Sequence, residues 1–104
     1  MPSSRYVIAL DQDTVFTHCS VFDHDGNLMA TTERDHRQIL PAPGYVEHDP
    51  MEIWKNARLT LAEVLAVMEI TSNDVAALGI TNQRETAVLW DKTTGLPICC
   101  LLYT

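Results

Sequence analysis

The clearest structural signal in the chain is Asp49-Pro50-Met51-Glu52-Ile53-Trp54, which predicts the start of a helix. Asp49 can accept hydrogen bonds from free backbone N–H groups, and Pro50 suits the first helical position, where its missing N–H costs nothing. We expect Glu52 to complete a capping box with Asp49. The helix is predicted to run to about Glu69, with one buried apolar face made of Ile53, Trp54, Ala57, Leu61, Val64, Leu65 and Met68.

Three strands are predicted before this helix. The continuous apolar run at residues 6–10 fits a strand buried on both faces, and residues 17–22 and 28–34 follow as two more strands. Residues 23–27 between them are Asp, His, Asp, Gly and Asn, a hairpin turn signal because Asp, Asn and Gly tolerate positive φ. An antiparallel meander is therefore expected, followed by an irregular crossing loop at residues 39–46.

Three further strands are predicted after the helix. Residues 75–81 have the composition of a buried strand, residues 86–90 of another, and residues 98–103 of a last apolar strand. A turn at residues 91–95 separates the last two. The order is βββαβββ, an α/β pattern that matches an incomplete ribonuclease-H-like domain of the actin-like ATPases. Fold order alone does not specify chemistry.

Composition excludes several classes of function. The 104 residues suit one small domain, and the net charge of -7 disfavours nucleic-acid binding, which needs clustered Lys and Arg. No apolar run approaches the roughly 20 residues of a membrane-spanning helix. Cys19, Cys99 and Cys100 have no metal-binding spacing and are expected to be reduced thiols. We therefore expect a cytoplasmic protein without membrane or nucleic-acid partners.

Three segments carry a resemblance to a known family. They are Ala9-Leu10-Asp11-Gln12-Asp13-Thr14, the stretch from Gly44 to Trp54, and Gly79-Ile80-Thr81-Asn82-Gln83-Arg84-Glu85-Thr86. Together they resemble the glycerol kinases within the FGGY carbohydrate kinases, over about residues 6–97. The resemblance implies transfer of the γ-phosphoryl group of ATP to glycerol with Mg²⁺. It also implies that residues 1–104 are the truncated N-terminal portion of the family's first domain.

The third segment is the candidate substrate site. The resemblance implies that Arg84 and Glu85 bind glycerol. The chemistry suits that role, because Arg84 offers a rigid fork of donors and Glu85 offers two acceptor oxygens to hydroxyl groups. The segment follows a predicted buried strand, where ligand groups gather in α/β sheets. An exposed charge pair at a turn is the alternative interpretation.

The first segment is the candidate nucleotide site. The resemblance implies that Asp11 lies near the metal and that Asp11 and Thr14 contact the nucleotide, with the Thr17 hydroxyl also matching the family pattern. The family turn reads Asp-Gln-Gly-Thr-Thr-Ser-Ser-Arg. This chain departs from it at four positions, which are Asp13, Val15, Phe16 and His18.

These departures oppose phosphate binding. Asp13 places a negative charge where phosphate and bare backbone meet, and like charges about 4 Å apart cost roughly 4 kcal/mol at an effective dielectric constant near 20. Val15 and Phe16 lack donors, and His18 is a weaker cation than Arg. We expect an impaired phosphate site. The alternative is that Asp11 and Asp13, two apart in an extended segment, hold Mg²⁺ together.

The remaining polar residues are assigned to folding. Glu47 and His48 precede the capped helix, and His24 and His36 are expected at the surface, without a zinc site.

No catalytic residue is assigned, because the resemblance implies that the general base and the nucleotide domain lie beyond Thr104. The chain alone is therefore expected to be inactive. Two alternatives remain open, a vestigial or regulatory module without catalysis and one piece of a split kinase. Self-association through an open sheet edge is also expected.

Overall fold

The structure, a computed structural model, describes residues 5–44, 46–83 and 86–102. Its elements in chain order are β1 (Tyr6–Gln12), β2 (Phe16–Asp23), β3 (Leu28–Asp35), β4 (Val46–Glu47), α1 (Pro50–Met68), a 3₁₀ turn (Ser72–Asp74), β5 (Val75–Thr81), β6 (Thr86–Trp90) and β7 (Pro97–Leu102). The predicted order is confirmed with one addition. The short strand β4 lies in the segment that was expected to be irregular, because Val46 and Glu47 pair with β7.

The strands form two sheets. The larger sheet has the order β3-β2-β1-β5, in which β5 is parallel to β1 and the other neighbours are antiparallel. The smaller sheet has the order β4-β7-β6 and is antiparallel. The sequence did not predict this division, since strand pairing between distant segments leaves no local signal.

The predicted hairpin turn between β2 and β3 is confirmed. Asp23 Oδ1 accepts the backbone N–H groups of Asp25 and Asn27, both at 2.9 Å. Gly26 has a φ of 86°, a conformation that costs glycine little. These bonds hold the pKa of Asp23 below its ordinary value, the backbone hydrogen bond from Asn27 being the largest cause.

The helix begins as predicted but is capped differently. Asp49 Oδ1 accepts the N–H of Met51 at 2.9 Å, and Pro50 occupies the first turn. The capping-box prediction for Glu52 is wrong, because its Oε1 accepts the N–H of Arg37 at 3.0 Å instead. Glu52 thereby ties the start of α1 to the segment that leaves β3.

The face of α1 that packs on β2 and β3 is more polar than predicted. Its buried residues are Asn56, Thr60 and Val64. Asn56 Nδ2 donates to the carbonyl of Asp35 at 3.0 Å, which satisfies the buried amide. The prediction that Trp54 is buried is wrong. Trp54 is 57% exposed, because it lies about 200° around the helix from Asn56.

A small apolar core lies between α1 and the larger sheet. Its fully buried members are Ile8, Cys19, Val21 and Val64. The buried thiol of Cys19 lies 3.5 Å from the hydroxyl of Thr60, and its pKa is raised chiefly by burial. This core fixes β1 and β2 beneath the helix.

Strand β5 is exposed, and the prediction of a buried strand there is wrong. Leu78 is 43% exposed and Ile80 is 65% exposed. The cause is the position of α1, which packs on β2 and β3 and leaves an apolar groove of about 270 Å³ beside β5. Within the described part of the chain, no strand pairs with the outer edge of β5.

Candidate functional site

The candidate site lies where the parallel strands β1 and β5 end side by side. Asp11 is paired with Thr81 on β5 and with His18 on β2. The Thr81 hydroxyl donates to Asp11 Oδ1 at 2.8 Å, and His18 Nε2 lies 3.6 Å from Asp11 Oδ2. Because ligands of α/β sheets bind at the carboxyl ends of strands, this position suits a binding site.

Asp11 and Gln12 point to opposite faces of the larger sheet. Ile8 packs against Val64 of α1 in the core, and side chains alternate along a strand, so Gln12 shares the helix side with Ile8. Asp11 therefore lies on the face away from α1, together with its paired neighbours His18 and Thr81. Asp11 and Gln12 therefore contribute to two different environments, one on each face of the larger sheet.

Asp11 fits a hydrated magnesium ion by its chemistry. Mg²⁺ is usually bound by one or two carboxylates, substrate phosphates and waters. The Asp11 side chain is 41% exposed, and among the described residues its Oδ1 accepts a hydrogen bond from the Thr81 hydroxyl. Across residues 5–44, 46–83 and 86–102, no group of three or more His, Cys, Asp or Glu side chains forms a metal cluster.

The turn after β1 does not fit a phosphate group in the same way. The N–H of Thr14 donates to Asp13 Oδ1 at 2.7 Å, and the N–H of Asp13 donates to the carbonyl of Phe16 at 2.8 Å. The backbone donors of Asp13 and Thr14 are therefore already engaged. Thr17, whose hydroxyl matches the family pattern, is fully buried and does not face the solvent at this turn.

His18 contacts the ring of Phe16 as well as Asp11. The two rings are stacked, with centroids 5.1 Å apart. His18 Nε2 faces the Asp11 carboxylate. His18, which stands where the family has Arg, thus lies beside Asp11, the candidate metal ligand, and packs against the ring of Phe16.

A chain of polar side chains lies on the helix side of the site. Gln12 Nε2 donates to Gln83 Oε1 at 2.9 Å, and Gln83 Nε2 lies 2.6 Å from His48 Nδ1. His48 Nε2 lies 2.8 Å from Gln38 Oε1, and Gln38 Nε2 donates to the carbonyl of Thr14 at 2.9 Å. We call Gln12, Gln83, His48 and Gln38 the glutamine–histidine chain. It joins all three sequence segments that carry the family resemblance.

Two histidines meet at the centre of this region. His48 is 3% exposed and His36 is 5% exposed, with their ring centroids 4.6 Å apart in an edge-to-face arrangement. The prediction that His36 is a surface residue is wrong, whereas His24 is exposed as predicted. Burial lowers the pKa of His48, and repulsion by His36 lowers it further.

A cavity of about 230 Å³ opens beside Gln83. Its walls come from the end of β1, the start of α1, the residues after β5 and the start of β6, and they include Gln12, Ile53, Asn82 and Thr86. The Thr86 hydroxyl accepts a hydrogen bond from Gln83 Nε2 at 2.8 Å. Pro50, Ile53 and Val88 form the apolar part of its wall.

The predicted substrate residues Arg84 and Glu85 lie outside the described residues. Their neighbours Gln83 and Thr86 are described and line the cavity. The structure therefore connects Asp11 to Thr81 on the face away from α1, and Thr14 to Gln83 through Gln38 and His48 on the helix side.

Sequence reasoning missed Thr81 and Gln38 as parts of this region. Thr81 was visible as the last polar residue of β5, and parallel pairing with β1 could have placed it near Asp11. Gln38 had no such signal, because it reaches Thr14 and His48 from the loop after β3. His48 was expected to serve folding alone. Its position next to the helix cap did not indicate that its side chain is buried.

Comparison with known proteins identifies a family. The family described as "FGGY family of carbohydrate kinases, N-terminal domain" matches residues 6–102. The glycerol kinase of Shewanella piezotolerans is 58% identical over 92% of this chain, and that of Clavibacter michiganensis is 53% identical over 92%. The chain spans about one fifth of the length of these curated relatives, 20% and 19% respectively.

Solved structures agree with the fold. A Plasmodium falciparum glycerol kinase with ADP has a TM-score of 0.81 at 31% identity, covering 93% of this chain and 20% of its own. A xylulose kinase from Rhodospirillum rubrum has a TM-score of 0.83 at 28% identity, covering 94% and 20%. These likenesses confirm the predicted ribonuclease-H-like class of α/β fold.

Proposed function

The chain belongs to the FGGY family of carbohydrate kinases, and on that premise we propose that it forms part of a site for the ATP-dependent phosphorylation of glycerol. The relatives matched over most of this chain are glycerol kinases, which supports glycerol as the substrate. The chain spans about one fifth of their length, so the complete reaction is proposed for the family's site, to which these residues contribute.

One observation carries the proposal. The hydrogen bond of 2.8 Å between Thr81 and Asp11 joins the ends of β5 and β1. It places the candidate nucleotide turn next to the segment that continues into Arg84 and Glu85. Phosphoryl transfer depends mainly on positioning and electrostatics, so a shared edge for phosphate and acceptor groups is what the reaction requires.

The proposed roles follow from side-chain chemistry. Arg84 donates to glycerol hydroxyls and Glu85 accepts from them. Asp11 is the proposed magnesium ligand, and Thr14 the proposed nucleotide contact. Bound ATP and Mg²⁺ would supply the phosphoryl group and neutralise its charge. No described residue is assigned as the catalytic base. The proposed compartment is the cytoplasm, where the buried Cys19 thiol stays reduced.

We also propose that the chain alone does not phosphorylate glycerol. Support comes from the turn after β1, where Asp13 holds the N–H of Thr14 and adds a negative charge. A phosphate group would have to displace this contact and approach that charge.

Titration of the ¹⁵N-labelled chain with glycerol, followed by NMR, tests the substrate role. We expect shifts at the amides of Gln83 and Thr86 that disappear in Arg84→Ala. The matched control is Arg58→Ala, because Arg58 lies over the ring of Trp54, at 5.6 Å from its centroid. Absence of shifts in the unmodified chain would contradict glycerol binding.

A turnover assay with ATP, Mg²⁺ and glycerol tests the proposed inactivity of the chain alone. We expect no glycerol 3-phosphate. Its formation by the purified chain would contradict the inactivity, and would leave the substrate assignment in place.

The exposed edge of β5 favours a second candidate role, in which the chain pairs with a protein partner. Val75–Thr81 contains no charged residue, and natural sheet edges are usually protected by charge. The partner could be a second copy, an intact kinase that the chain regulates, or the complementary piece of a split kinase. Recovered phosphorylation with a separately expressed remainder of a glycerol kinase would identify the split form. Binding to an intact kinase without recovered activity would identify the regulatory form.

A further inference from the structure

We propose that His48 is a positioning residue that, in one neutral tautomer, fixes the turn after β1 relative to the segment leading into Arg84. The proposal concerns the glutamine–histidine chain, and its ligand-dependent half rests on the proposed function. His48 itself precedes α1, and among the described residues its hydrogen-bond partners are Gln38 and Gln83. Its effect on binding would therefore be transmitted through Gln38 and Gln83.

The donors at the Gln12 end set the direction of the hydrogen bonds. Gln12 Nε2 uses both of its hydrogens, one on the carbonyl of Asp13 at 2.7 Å and one on Gln83 Oε1. The oxygen of Gln83 must therefore face Gln12, and its amide nitrogen must face the other way. That nitrogen also uses both hydrogens, on Thr86 Oγ1 and on His48 Nδ1.

This direction leaves His48 one protonation state. Because Gln83 donates, His48 Nδ1 must accept, and the ring proton lies on Nε2. His48 Nε2 then donates to Gln38 Oε1, which leaves the amide nitrogen of Gln38 free to donate to the carbonyl of Thr14. Every donor meets an acceptor along four consecutive hydrogen bonds.

Reversal of this arrangement is disfavoured at each link. A rotated Gln83 amide would reverse its bonds to Thr86 and His48 and would point its hydrogens at those of Gln12, which are fixed by the carbonyl of Asp13. A proton on His48 Nδ1 would meet the Gln83 amide hydrogens across 2.6 Å. Gln83 is 5% exposed and His48 is 3% exposed, so water cannot easily replace a lost partner. The buried links therefore behave as one unit.

The two ends of the unit explain why the unit matters for binding. At one end Gln38 holds the carbonyl of Thr14, the proposed nucleotide contact. At the other end Gln83 immediately precedes Arg84, the proposed glycerol contact. His48 joins these two ends directly, with one hydrogen bond to Gln83 and one to Gln38. Gln12 forms a second link, from Gln83 to the carbonyl of Asp13, so His48 fixes the Thr14 end of the turn.

The protonation state is the first test. Long-range ¹H–¹⁵N correlation spectra of the labelled full chain at pH 7.5 distinguish the two ring nitrogens of each histidine. We expect a protonated nitrogen at His48 Nε2 and an unprotonated one at Nδ1. A proton on Nδ1, a mixture of tautomers or a doubly protonated ring would overturn the proposal. This test needs no ligand and no activity.

Substitutions form the second test. His48→Phe removes both hydrogen bonds, and we expect the Thr14 and Gln83 backbone amide signals to shift together. His48→Gln, which keeps one donor and one acceptor without charge, should restore both signals toward their original positions. His36→Phe is the matched control, because neither ring nitrogen of His36 has a hydrogen-bond partner among the described residues. It should leave both signals in place.

A milder substitution tests the proposal if His48→Phe does not fold. Gln38 is exposed, so Gln38→Ala should fold while removing the link to Thr14. We expect the Thr14 amide and the His48 Nε2 signals to move while the Gln12 amide signal stays. If Thr14 and His48 are both unaffected by Gln38→Ala, the chain does not couple the two ends and the proposal fails.

The ligand-dependent half is measured by glycerol titration. In the unmodified chain we expect glycerol to shift the amide of Thr14 as well as that of Thr86. In Gln38→Ala the Thr86 shift should remain and the Thr14 shift should be lost. If both shifts remain in Gln38→Ala, positioning through His48 is wrong although glycerol binds. If the unmodified chain does not respond to glycerol at all, the proposed function fails, and the tautomer test still decides the hydrogen-bond chain.

Discussion

At the scale of single residues, Asp13 is the residue that most directly opposes phosphate binding. Its carboxylate is exposed and accepts the N–H of Thr14 at 2.7 Å, so it both adds charge and occupies a donor. Gly at this position would remove the charge, the side-chain acceptor and the Cβ. The neighbouring Asp11 is bonded to Thr81 and not to Asp13.

Asp13→Gly is expected to strengthen binding of Mg²⁺–ATP by about tenfold, or roughly 1.4 kcal/mol. Asp13→Asn separates the two causes, because it removes the charge while keeping an oxygen for the Thr14 N–H. Isothermal titration measures both variants. Asp25→Gly, which removes an exposed carboxylate from the β2–β3 turn, controls for net charge, and an equal gain in that variant would show that the contact at Thr14 is irrelevant.

His48 predicts a dependence of stability on pH. Its pKa lies below the ordinary value of 6.5, so the unfolded chain binds a proton more readily than the folded chain. The contribution is fully present above pH 6.5 and is lost as the pH falls from 6.5 toward the folded pKa. Of the described groups packed against the ring, His36 is titratable and Gln38 and Gln83 are neutral.

Urea unfolding at pH 7.5 and pH 5.5 measures this dependence. We expect a lower free energy of unfolding at pH 5.5, and a smaller decrease in His48→Gln. A decrease of the same size in both proteins would assign the effect to other groups.

At the scale of elements, the two ends of α1 differ in how favourably they are capped. The first turn has a carboxylate cap at Asp49 and a proline that suits its position. The C-cap residue after Met68, Glu69, adopts a φ of 56° in the left-handed region, which favours glycine. Its N–H and that of Ile70 close the helix on the carbonyls of Ala66 and Leu65. The C-terminal cap is thus formed with a residue that is strained by its Cβ.

Glu69→Gly is therefore expected to raise the free energy of unfolding by about 1 kcal/mol. Glu69→Ala removes the same charge but keeps the Cβ, so it should give little or no gain. Chemical unfolding of the three proteins side by side tests the difference. Equal effects of the two substitutions would assign the change to charge and not to backbone conformation.

At the scale of the whole molecule, the chain is more open than a compact domain of its size. Its radius of gyration is 16.0 Å, against about 13 Å for a compact domain of about 100 residues. Its accessible surface is 7066 Å², against about 5,900 Å² expected for this mass. Part of the excess lies along β5 and in the groove beside it.

No helix in residues 5–44, 46–83 or 86–102 is long and apolar enough to cross a bilayer.

This openness predicts self-association through β5. Ile80→Lys should reduce the fraction of dimers and larger species seen by sedimentation velocity, because a charged side chain at a sheet edge opposes strand pairing. The matched control is Val67→Lys on the outer surface of α1, where Val67 is 63% exposed. Equal behaviour of both variants would rule out the edge of β5 as the contact.

The sequence by itself determined the local structure of this protein and its family. The cap at Asp49, the turn at residues 23–27 and the succession of strands and helix along the chain depend on short-range chemistry, and long motifs identified the kinase family. The tertiary structure decided which faces are buried and which side chains meet. Asn56 is buried because the distant carbonyl of Asp35 accepts its amide, which apolar periodicity cannot reveal. Thr60 is buried with its hydroxyl donating to the Asn56 carbonyl of the same helix and facing the distant Cys19 thiol. His48, Gln38 and Gln83 form one unit only because folding brings three separated segments together.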